Sequence, residues 1–234
     1  MKPKRIFIIR HGQSTGNVDK SIYTKQPDYA LNLTKVGYEQ GYQAGKILHQ
    51  LKCKPLAIYY SPFFRTIETL NQISKGFYNS SWSNTDTDFV DRNFIREEPR
   101  IREQEWHGKI PTVGYGEDIE TERDKFGTFY YRFDGGESCA DVYDRVSDFI
   151  NTLNRDFQKD DFPEDTLIVT HGMTMRVFLM RFFHKTVMEF ETWSNPDNCE
   201  LWTLNLTNKN KYTFDFDSIK KHTPIHNYSC KLTI

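Results

Sequence analysis

The sequence predicts an α/β fold, a three-layer sandwich in which helices cover both faces of a mostly parallel central sheet. Short apolar runs alternate with segments of helical periodicity along the chain. Two of these runs, at 6–9 and 165–170, have the near-continuous apolar character of strands that are buried on both faces. The 234 residues, 37% hydrophobic and 15% aromatic, suffice for one domain with a substantial core.

The first half of the chain predicts two strands, each followed by a helix. The strand at 6–9 leads into a polar loop, and Thr34 is a good N-cap for the helix that follows. A second strand ends at Ser61 and Pro62. These residues are typical of the N-cap and first position of a helix, which we predict over 63–74.

The middle of the chain predicts irregular segments and then one long helix. The segment 76–88 is rich in Ser, Asn and Thr, which is typical of a surface loop, and 97–111 lies between prolines and is predicted to be irregular. We expect 112–135 to be a partly helical excursion over the surface. An apolar stripe of Val, Phe, Ile and Leu predicts the clearest amphipathic helix within 135–157.

The last third of the chain predicts the remainder of the sheet. A buried strand at 165–170 is followed directly by an apolar helix over 173–183. Two further strands are joined by a hairpin turn at 208–210. We therefore expect a single domain over 1–216 and a C-terminal tail over 217–234.

Composition and charge exclude several classes of protein. The net charge of −1, from 31 basic and 32 acidic residues, argues against binding to nucleic acid or to anionic membranes. No apolar stretch approaches the roughly 20 residues of a membrane span, and no leader peptide is evident. The four cysteines, Cys53, Cys139, Cys199 and Cys230, form no CxxC pair and are expected to be free thiols. We expect a cytoplasmic protein.

Two buried strands end in the same dipeptide, His-Gly, at His11 and at His171. Arg10 precedes the first histidine, and Arg65 lies in the first turn of a predicted helix. Ligands of open α/β sheets bind at the carboxyl ends of the strands, so these four side chains are expected to converge there. A guanidinium binds two phosphate oxygens in its planar fork, and a neutral imidazole can attack phosphorus. The pattern predicts a phosphoryl site.

Each of these residues also has an ordinary structural interpretation when taken alone. An arginine at a strand end can be a solvated charge, and a buried histidine can be a core residue bonded to backbone. A proton donor for a leaving alkoxide could come from Glu103 or Glu105, which can equally be surface charges. His222 and His226 lack a Cys or carboxylate ligand nearby, so we predict no metal site and no other cofactor.

Five motifs resemble, in order, those of the histidine phosphatase superfamily in its phosphoglycerate mutase-like branch. They are RHGQSTGN, SPFFRTIET, RIREQEWHG, GGESCADVYDRV and LIVTHG. Each motif is weak alone, but together they span 5–172 in the order that the family has them. The resemblance implies a phosphoglycerate mutase-like fold for the predicted domain.

The resemblance also implies a role for each matched residue. His11 would be the nucleophile that becomes phosphorylated, and Glu103 the proton donor that later activates water. The phosphoryl oxygens would be held by four side chains, those of Arg10, Asn17, Arg65 and His171. Thr24 would line the pocket. Gln13 stands where many members have Glu, and this departure implies no loss of activity.

The resemblance leaves open which reaction the chain catalyses. Phosphoglycerate mutases carry an Arg directly after the catalytic Glu and an Arg-Arg pair further on, whereas here Gln104 follows Glu103 and Arg123 and Arg132 are isolated. Each charge-assisted contact so lost is worth about 1.5–3 kcal/mol. We therefore predict a phosphatase acting on a small-molecule phosphomonoester. The alternatives are a phosphoglycerate mutase and a non-catalytic phospholigand-binding scaffold, and protein partners are not predicted.

An aromatic run at 126–133 has two interpretations. Its Phe and Tyr side chains could cover the pocket and favour a less polar leaving group, or they could be ordinary core residues.

Overall fold

A six-stranded mixed sheet forms the middle layer of the structure, a computed structural model that describes residues 2–53, 56–78, 90–106 and 116–223. In chain order its strands are β1 (Arg5–Arg10), β2 (Leu56–Tyr60), β3 (Val90–Glu97), β4 (Asp165–Thr170), β5 (Leu201–Leu206) and β6 (Tyr212–Thr213). Their order in the sheet is β3-β2-β4-β1-β5-β6.

Seven α-helices accompany the strands within the described residues. They are α1 (Thr15–Val18), α2 (Lys35–Gln50), α3 (Phe64–Tyr78), α4 (Gly116–Phe126), α5 (Cys139–Asp156), α6 (Gly172–Phe182) and α7 (Val187–Glu191). Ser138 caps α5 in a capping box, and Thr34 caps α2 as its sequence predicts.

The register of the central strands brings the two His-Gly ends together. β1 and β4 are parallel, and Arg10 is paired with Thr170. The next residue of each strand is a histidine, so both histidines leave the same edge of the sheet side by side. β2 and β3 extend the parallel part of the sheet, whereas β5 and β6 are antiparallel.

Side chains alternate along β1 between two apolar clusters, one on each face of the sheet. Ile6 and Ile8 pack with residues of α5 and α6, whereas Phe7 and Ile9 pack with residues of α2 and α3. Helices therefore cover both faces, and the predicted three-layer α/β class is confirmed. Helices α2 and α3 approach closely, because a Cβ on Gly45 would collide with the carbonyl oxygen of Ile73.

The structure differs from the sequence predictions in the region between β2 and β3. β3 was not predicted, because charged residues interrupt its apolar ones. Phe94 is buried and Ile95 is exposed, as suits the edge of the sheet. The predicted N-cap at Ser61 was wrong, since α3 begins three residues later, at Phe64. The Ser61 hydroxyl accepts from the Phe63 amide at 3.4 Å and contacts His171 at 2.7 Å. The predicted 76–88 loop was wrong at its start, since 76–78 form the last turn of α3, and 79–88 lie outside the described residues.

The first part of the predicted C-terminal tail packs against the domain. Ile219 is buried in the apolar cluster that includes residues of α5 and α6. Backbone hydrogen bonds join Ser194 to Lys220 and His222 to Thr192, each at 2.8 Å. Part of 217–223 thus contacts the predicted domain, and the remainder of the predicted tail, from 224, lies outside the described residues.

Among the described helices, none combines the length and the apolar character that crossing a membrane requires.

Candidate active site

A polar cavity of about 340 Å³ opens where β1 and β4 end. It is lined by Arg10, His11, Ser14, Asn17, Lys20, Tyr23, Asp28, Arg65, Glu103, Trp106, Arg123 and Asn195. Four of these side chains are cationic and two are carboxylates. This excess of positive charge suits an anionic ligand.

His11 presents one ring nitrogen with a free electron pair toward this cavity. Its Nδ1 lies 2.7 Å from the carbonyl oxygen of Gly12. A carbonyl oxygen only accepts hydrogen bonds, so Nδ1 carries the proton and Nε2 keeps its lone pair. Arg65 donates from Nε to that Nε2 at 3.3 Å. The imidazole is thereby fixed in the tautomer that a nucleophile needs.

The loop that carries His11 is held by backbone contacts. The amide of His11 donates to the carbonyl of Thr170 at 2.9 Å, and that of Gly12 donates to the Thr69 hydroxyl at 3.0 Å. A Cβ on Gly12 would lie 2.5 Å from the carbonyl oxygen of Gly37 at the start of α2. Glycine at both positions lets the two backbones touch, and this fixes the direction of the histidine.

Arg65 is held by Asp28, a residue that the sequence analysis did not select. The buried guanidinium donates from Nη1 and Nη2 to the two carboxylate oxygens at 2.9 and 3.1 Å, and from Nη1 to the Asp28 carbonyl at 2.7 Å. This fork-to-fork pairing turns Nε toward His11. Asp28 lies in a polar loop without a motif, so no sequence signal indicates its role.

His171 lies behind His11, and its environment is different. Its ring centroid is 5.2 Å from that of His11, and the residue is fully buried. Nε2 lies 2.7 Å from the Ser61 hydroxyl, whereas Nδ1 is buried without a hydrogen-bond partner among the described residues. Its side chain is beside the cavity but does not line it.

The Glu103 carboxylate lies on the same cavity, next to the start of α6. Its oxygens accept hydrogen bonds from the amide of Gln104 at 3.1 Å, from the amide of Met173 at 3.5 Å and from the Thr174 hydroxyl at 3.4 Å. The sequence placed Glu103 and Glu105 as alternative acids. Glu105 lines a neighbouring cavity instead.

An ion pair behind Glu103 fixes the segment that carries it. The Arg145 guanidinium donates to both carboxylate oxygens of Glu137 at 3.0 and 2.9 Å. It also donates to the backbone carbonyls of Arg100, Arg102 and Glu103 at 2.6, 2.9 and 3.1 Å. One side chain thus satisfies three backbone carbonyls within four residues of this segment. Both partners lie in the GGESCADVYDRV motif, which the sequence analysis quoted without assigning them a role.

Burial shifts the pKa values of Glu103 and His11 in opposite directions. Desolvation lowers the pKa of His11 well below 6.5, and the nearby charges of Arg65 and Arg10 lower it further. Desolvation raises the pKa of Glu103 above 4.5, against the opposing effect of Arg65. In water the carboxyl would lose its proton before the imidazole did. Here the shifts increase the fraction of molecules with a neutral imidazole and a protonated carboxyl.

The other predicted site residues are distributed over two cavities. Asn17 lines the His11 cavity, and its Oδ1 accepts from the Ser14 amide at 2.9 Å. Arg10 lines it too, with Nη1 donating to the Pro196 carbonyl at 2.7 Å. Thr24 lies apart, since its hydroxyl donates to the Ser21 carbonyl and it lines the neighbouring cavity.

The aromatic run at 126–133 contributes no side chain to the lining of either cavity in the described structure. Phe129 and Phe133 are buried, and Phe126 and Tyr130 are 71% and 65% exposed. The core interpretation therefore holds for the buried members. Trp106 takes the place expected of this run, with its ring 4.5 Å from that of Phe133.

These features define a protein that belongs to the histidine phosphatase superfamily, branch 1, whose family model matches residues 6–215. The resemblance carried by the five motifs is confirmed.

Relatives of the chain include mutase-like proteins and phosphatases. It is 38% identical over 230 residues to a phosphoglycerate mutase-like protein of Arabidopsis thaliana, a match that covers 92% of this chain and 78% of the relative. It is 28% identical over 288 residues to a broad-range acid phosphatase of Saccharomyces cerevisiae, covering 88% and 86%. The fold matches a mycobacterial glucosyl-3-phosphoglycerate phosphatase with a TM-score of 0.66 at 19% identity, covering 94% and 100%.

Proposed function

We propose that the protein hydrolyses a phosphomonoester in two steps, through a phosphohistidine on Nε2 of His11. The observation that carries the proposal is the neutral imidazole, whose unprotonated nitrogen faces a cationic cavity that also holds Glu103. Membership of a phosphatase superfamily and the similarity to an acid phosphatase support it.

In the first step, His11 Nε2 forms a bond to phosphorus while the ester P–O bond breaks. Glu103 gives its proton to the departing alkoxide, which leaves as an alcohol. In the second step, a water oxygen bonds to phosphorus as the P–N bond breaks, and Glu103 takes the proton of that water. Inorganic phosphate leaves, and both residues return to their starting protonation states.

Charge on the transferred group is stabilised by side chains already in place. Arg10 and Arg65 border the position that the phosphoryl oxygens would occupy, and Asn17 and His171 lie beside it. Donors held in place before the reaction need little rearrangement in the transition state, which is the usual source of such stabilisation. Arg65 Nε would transfer its hydrogen bond from His11 Nε2 to a phosphoryl oxygen as the P–N bond forms.

The orientation of Gln104 favours a phosphatase over a mutase. This side chain occupies the position where the mutases have Arg, yet it is buried, and its Nε2 donates to the Glu137 carbonyl at 2.8 Å. The Gln104 side chain therefore contributes no contact to the substrate. A phosphoglycerate mutase is the second candidate, because Lys20 and Arg123 line the cavity and could bind a second anionic group.

Hydrolysis of p-nitrophenyl phosphate by the wild type and by His11→Ala tests the proposal. We expect turnover and an acid-labile phosphoenzyme in the wild type alone. Transfer between phosphoglycerates that is faster than hydrolysis would favour the mutase. Phosphate binding without any turnover between pH 4.5 and pH 8 would favour a non-catalytic scaffold.

A further inference from the structure

A second cavity, of about 480 Å³, adjoins the cavity of His11 and shares with it Tyr23, Asp28 and Trp106. Its size is within the range of small-molecule sites, about 300–1,000 Å³. The phosphoryl group would lie at His11, so the alcohol part of a substrate has this space beside it.

Four aromatic side chains form the walls of this second cavity: Tyr23, Tyr29, Phe63 and Trp106. Two of them are fixed from behind. Phe63 lies between the Arg65 guanidinium at 4.9 Å and the His171 ring at 5.0 Å, and Trp106 packs on Phe133. Aromatic walls that are held in place stack well against flat, unsaturated groups.

The charges around the second cavity cancel. Lys25 and Arg102 are balanced by Asp28 and Glu105. Two of these four are already paired, since Arg102 donates to Glu137 at 2.6 Å and Asp28 is bound to Arg65. Burial raises the pKa of Tyr23 to about 12, so that its hydroxyl stays neutral. The second cavity thus contrasts with the cationic one next to it and favours an uncharged occupant.

We propose that the second cavity binds the leaving group, and that the preferred substrates are phosphomonoesters of alcohols that carry an uncharged, planar aromatic group. This inference rests on the proposed function, since it assumes that a phosphoryl group is transferred to His11. A nucleoside 5′-monophosphate has the required chemistry.

The test compares adenosine 5′-monophosphate with ribose 5-phosphate. Both are esters of the same primary hydroxyl, so their intrinsic reactivities match and the base is the main difference. Stacking of one base on an aromatic side chain typically changes affinity by about tenfold or more. We expect kcat/KM to be higher by at least that factor for the nucleotide. Equal values for the two esters would overturn the inference.

Single-residue variants test whether the preference for the nucleotide arises at the second cavity. Tyr29→Ala and Trp106→Ala are expected to reduce the ratio of the two kcat/KM values severalfold, and the ratio is informative even if both rates fall. Tyr130→Ala is the control, because Tyr130 is also an exposed aromatic residue and lines neither cavity. It should leave the ratio unchanged, and a ratio unaffected by Tyr29→Ala and Trp106→Ala would count against the site.

Two further substrates separate this inference from the proposed function. If 3-phosphoglycerate has a higher kcat/KM than the nucleotide, then Lys20 and Arg123 select a second anion and the aromatic cavity is not the selective site. If no ester is hydrolysed, p-nitrophenyl phosphate included, the proposed function itself fails. Hydrolysis of p-nitrophenyl phosphate with no preference for the nucleotide refutes this inference alone.

Discussion

His11 and His171 follow paired residues of neighbouring strands, yet they are placed for different chemistry. His11 lines a cavity, and its Nε2 faces Arg65 at 3.3 Å. His171 lies behind it, with Nε2 engaged by the Ser61 hydroxyl. The comparison teaches that the same dipeptide at the same sheet edge can be held in two ways: at His11 the carbonyl of the following glycine fixes the proton on Nδ1 and leaves Nε2 unprotonated, as the proposed nucleophile requires.

Access to the cavity, and not charge, separates the two histidines. Burial lowers the pKa of both histidines well below 6.5, so both are neutral near neutral pH. Only His11 combines this neutrality with access to the cavity. His171 is suited to support the phosphoryl group through a fixed imidazole rather than to attack it.

The largest effect expected is that of removing the nucleophile. His11→Ala should lower kcat by about four orders of magnitude or more, because the covalent step has no substitute. Rapid-quench labelling with a ³²P-labelled ester should show no acid-labile phosphoenzyme in this variant. Label that persists in His11→Ala and disappears in His171→Ala would reverse the assignment of the two histidines.

Glu103→Gln tests whether the acid acts with His11. The amide cannot donate a proton to the alkoxide, so kcat for an alkyl phosphate should fall by about 10²–10⁴-fold. The wild-type rate should fall at low pH as His11 gains a proton and at higher pH as Glu103 loses one. With its pKa raised, the Glu103 limb lies above 4.5.

Two results distinguish this role from a structural one. The loss in Glu103→Gln should be much smaller for p-nitrophenyl phosphate, whose leaving group needs no proton. The high-pH limb should also disappear from the pH profile. Equal losses for both esters with an unchanged profile would contradict an acid role for Glu103.

His171→Asn tests how much His171 contributes to kcat. Loss of one preorganised donor typically costs about 10²–10³-fold in kcat. The variant should still form the phosphoenzyme on His11, more slowly. Ser61→Ala, which removes the hydroxyl partner of Nε2, is the matched variant and should have a smaller effect. A His171→Asn enzyme with wild-type rates would remove His171 from the mechanism.

Arg145→Met tests how the acid is positioned. Of the residues that line the His11 cavity in the described structure, Arg145 hydrogen-bonds to Glu103, at its backbone carbonyl, 3.1 Å away. A displacement of about 1 Å at a reacting group can cost about 10²-fold, and we expect a loss of up to that size for alkyl phosphates. Arg155→Met on the same helix is the control, since that arginine contacts only Thr152 within α5 among the bonds described.

Two measurements distinguish displacement of Glu103 from a general loss of stability in Arg145→Met. The loss should again be smaller for p-nitrophenyl phosphate, because only the proton donor is displaced. A uniform loss for all esters, with a lowered melting temperature, would indicate a purely structural role.

The smallest effect concerns stability and pH. A buried histidine with a lowered pKa stays neutral in the folded state, whereas the unfolded chain takes up a proton below pH 6.5. The free energy of unfolding should therefore decrease as the pH falls below 6.5, by about 1.4 kcal/mol per pH unit for each such histidine. Urea unfolding of wild type and His171→Asn between pH 5 and pH 7 should give a shallower dependence in the variant. Parallel curves would contradict this account.

Much of this molecule is readable from local patterns. Buried strands with apolar runs, the capped helices and the convergence at the sheet edge follow from residues adjacent in the chain, as at His11 and His171. The features that the sequence did not indicate depend on distant partners. β3 is an edge strand of mixed polarity, and Ser61 contacts His171 rather than capping α3. Asp28 becomes important only because folding places it on Arg65.

The glycine contact between the His11 loop and α2 has a consequence for mutational tolerance. A methyl group on Gly12 would meet the Gly37 carbonyl, and one on Gly37 would meet the Gln13 backbone, so substitution at either site forces two backbones apart. Tyr29, in contrast, lies in a single 3-10 turn, Asp28–Ala30, and is 54% exposed. Substitutions can therefore accumulate around the entrance of the site while the orientation of the His11 side chain stays the same.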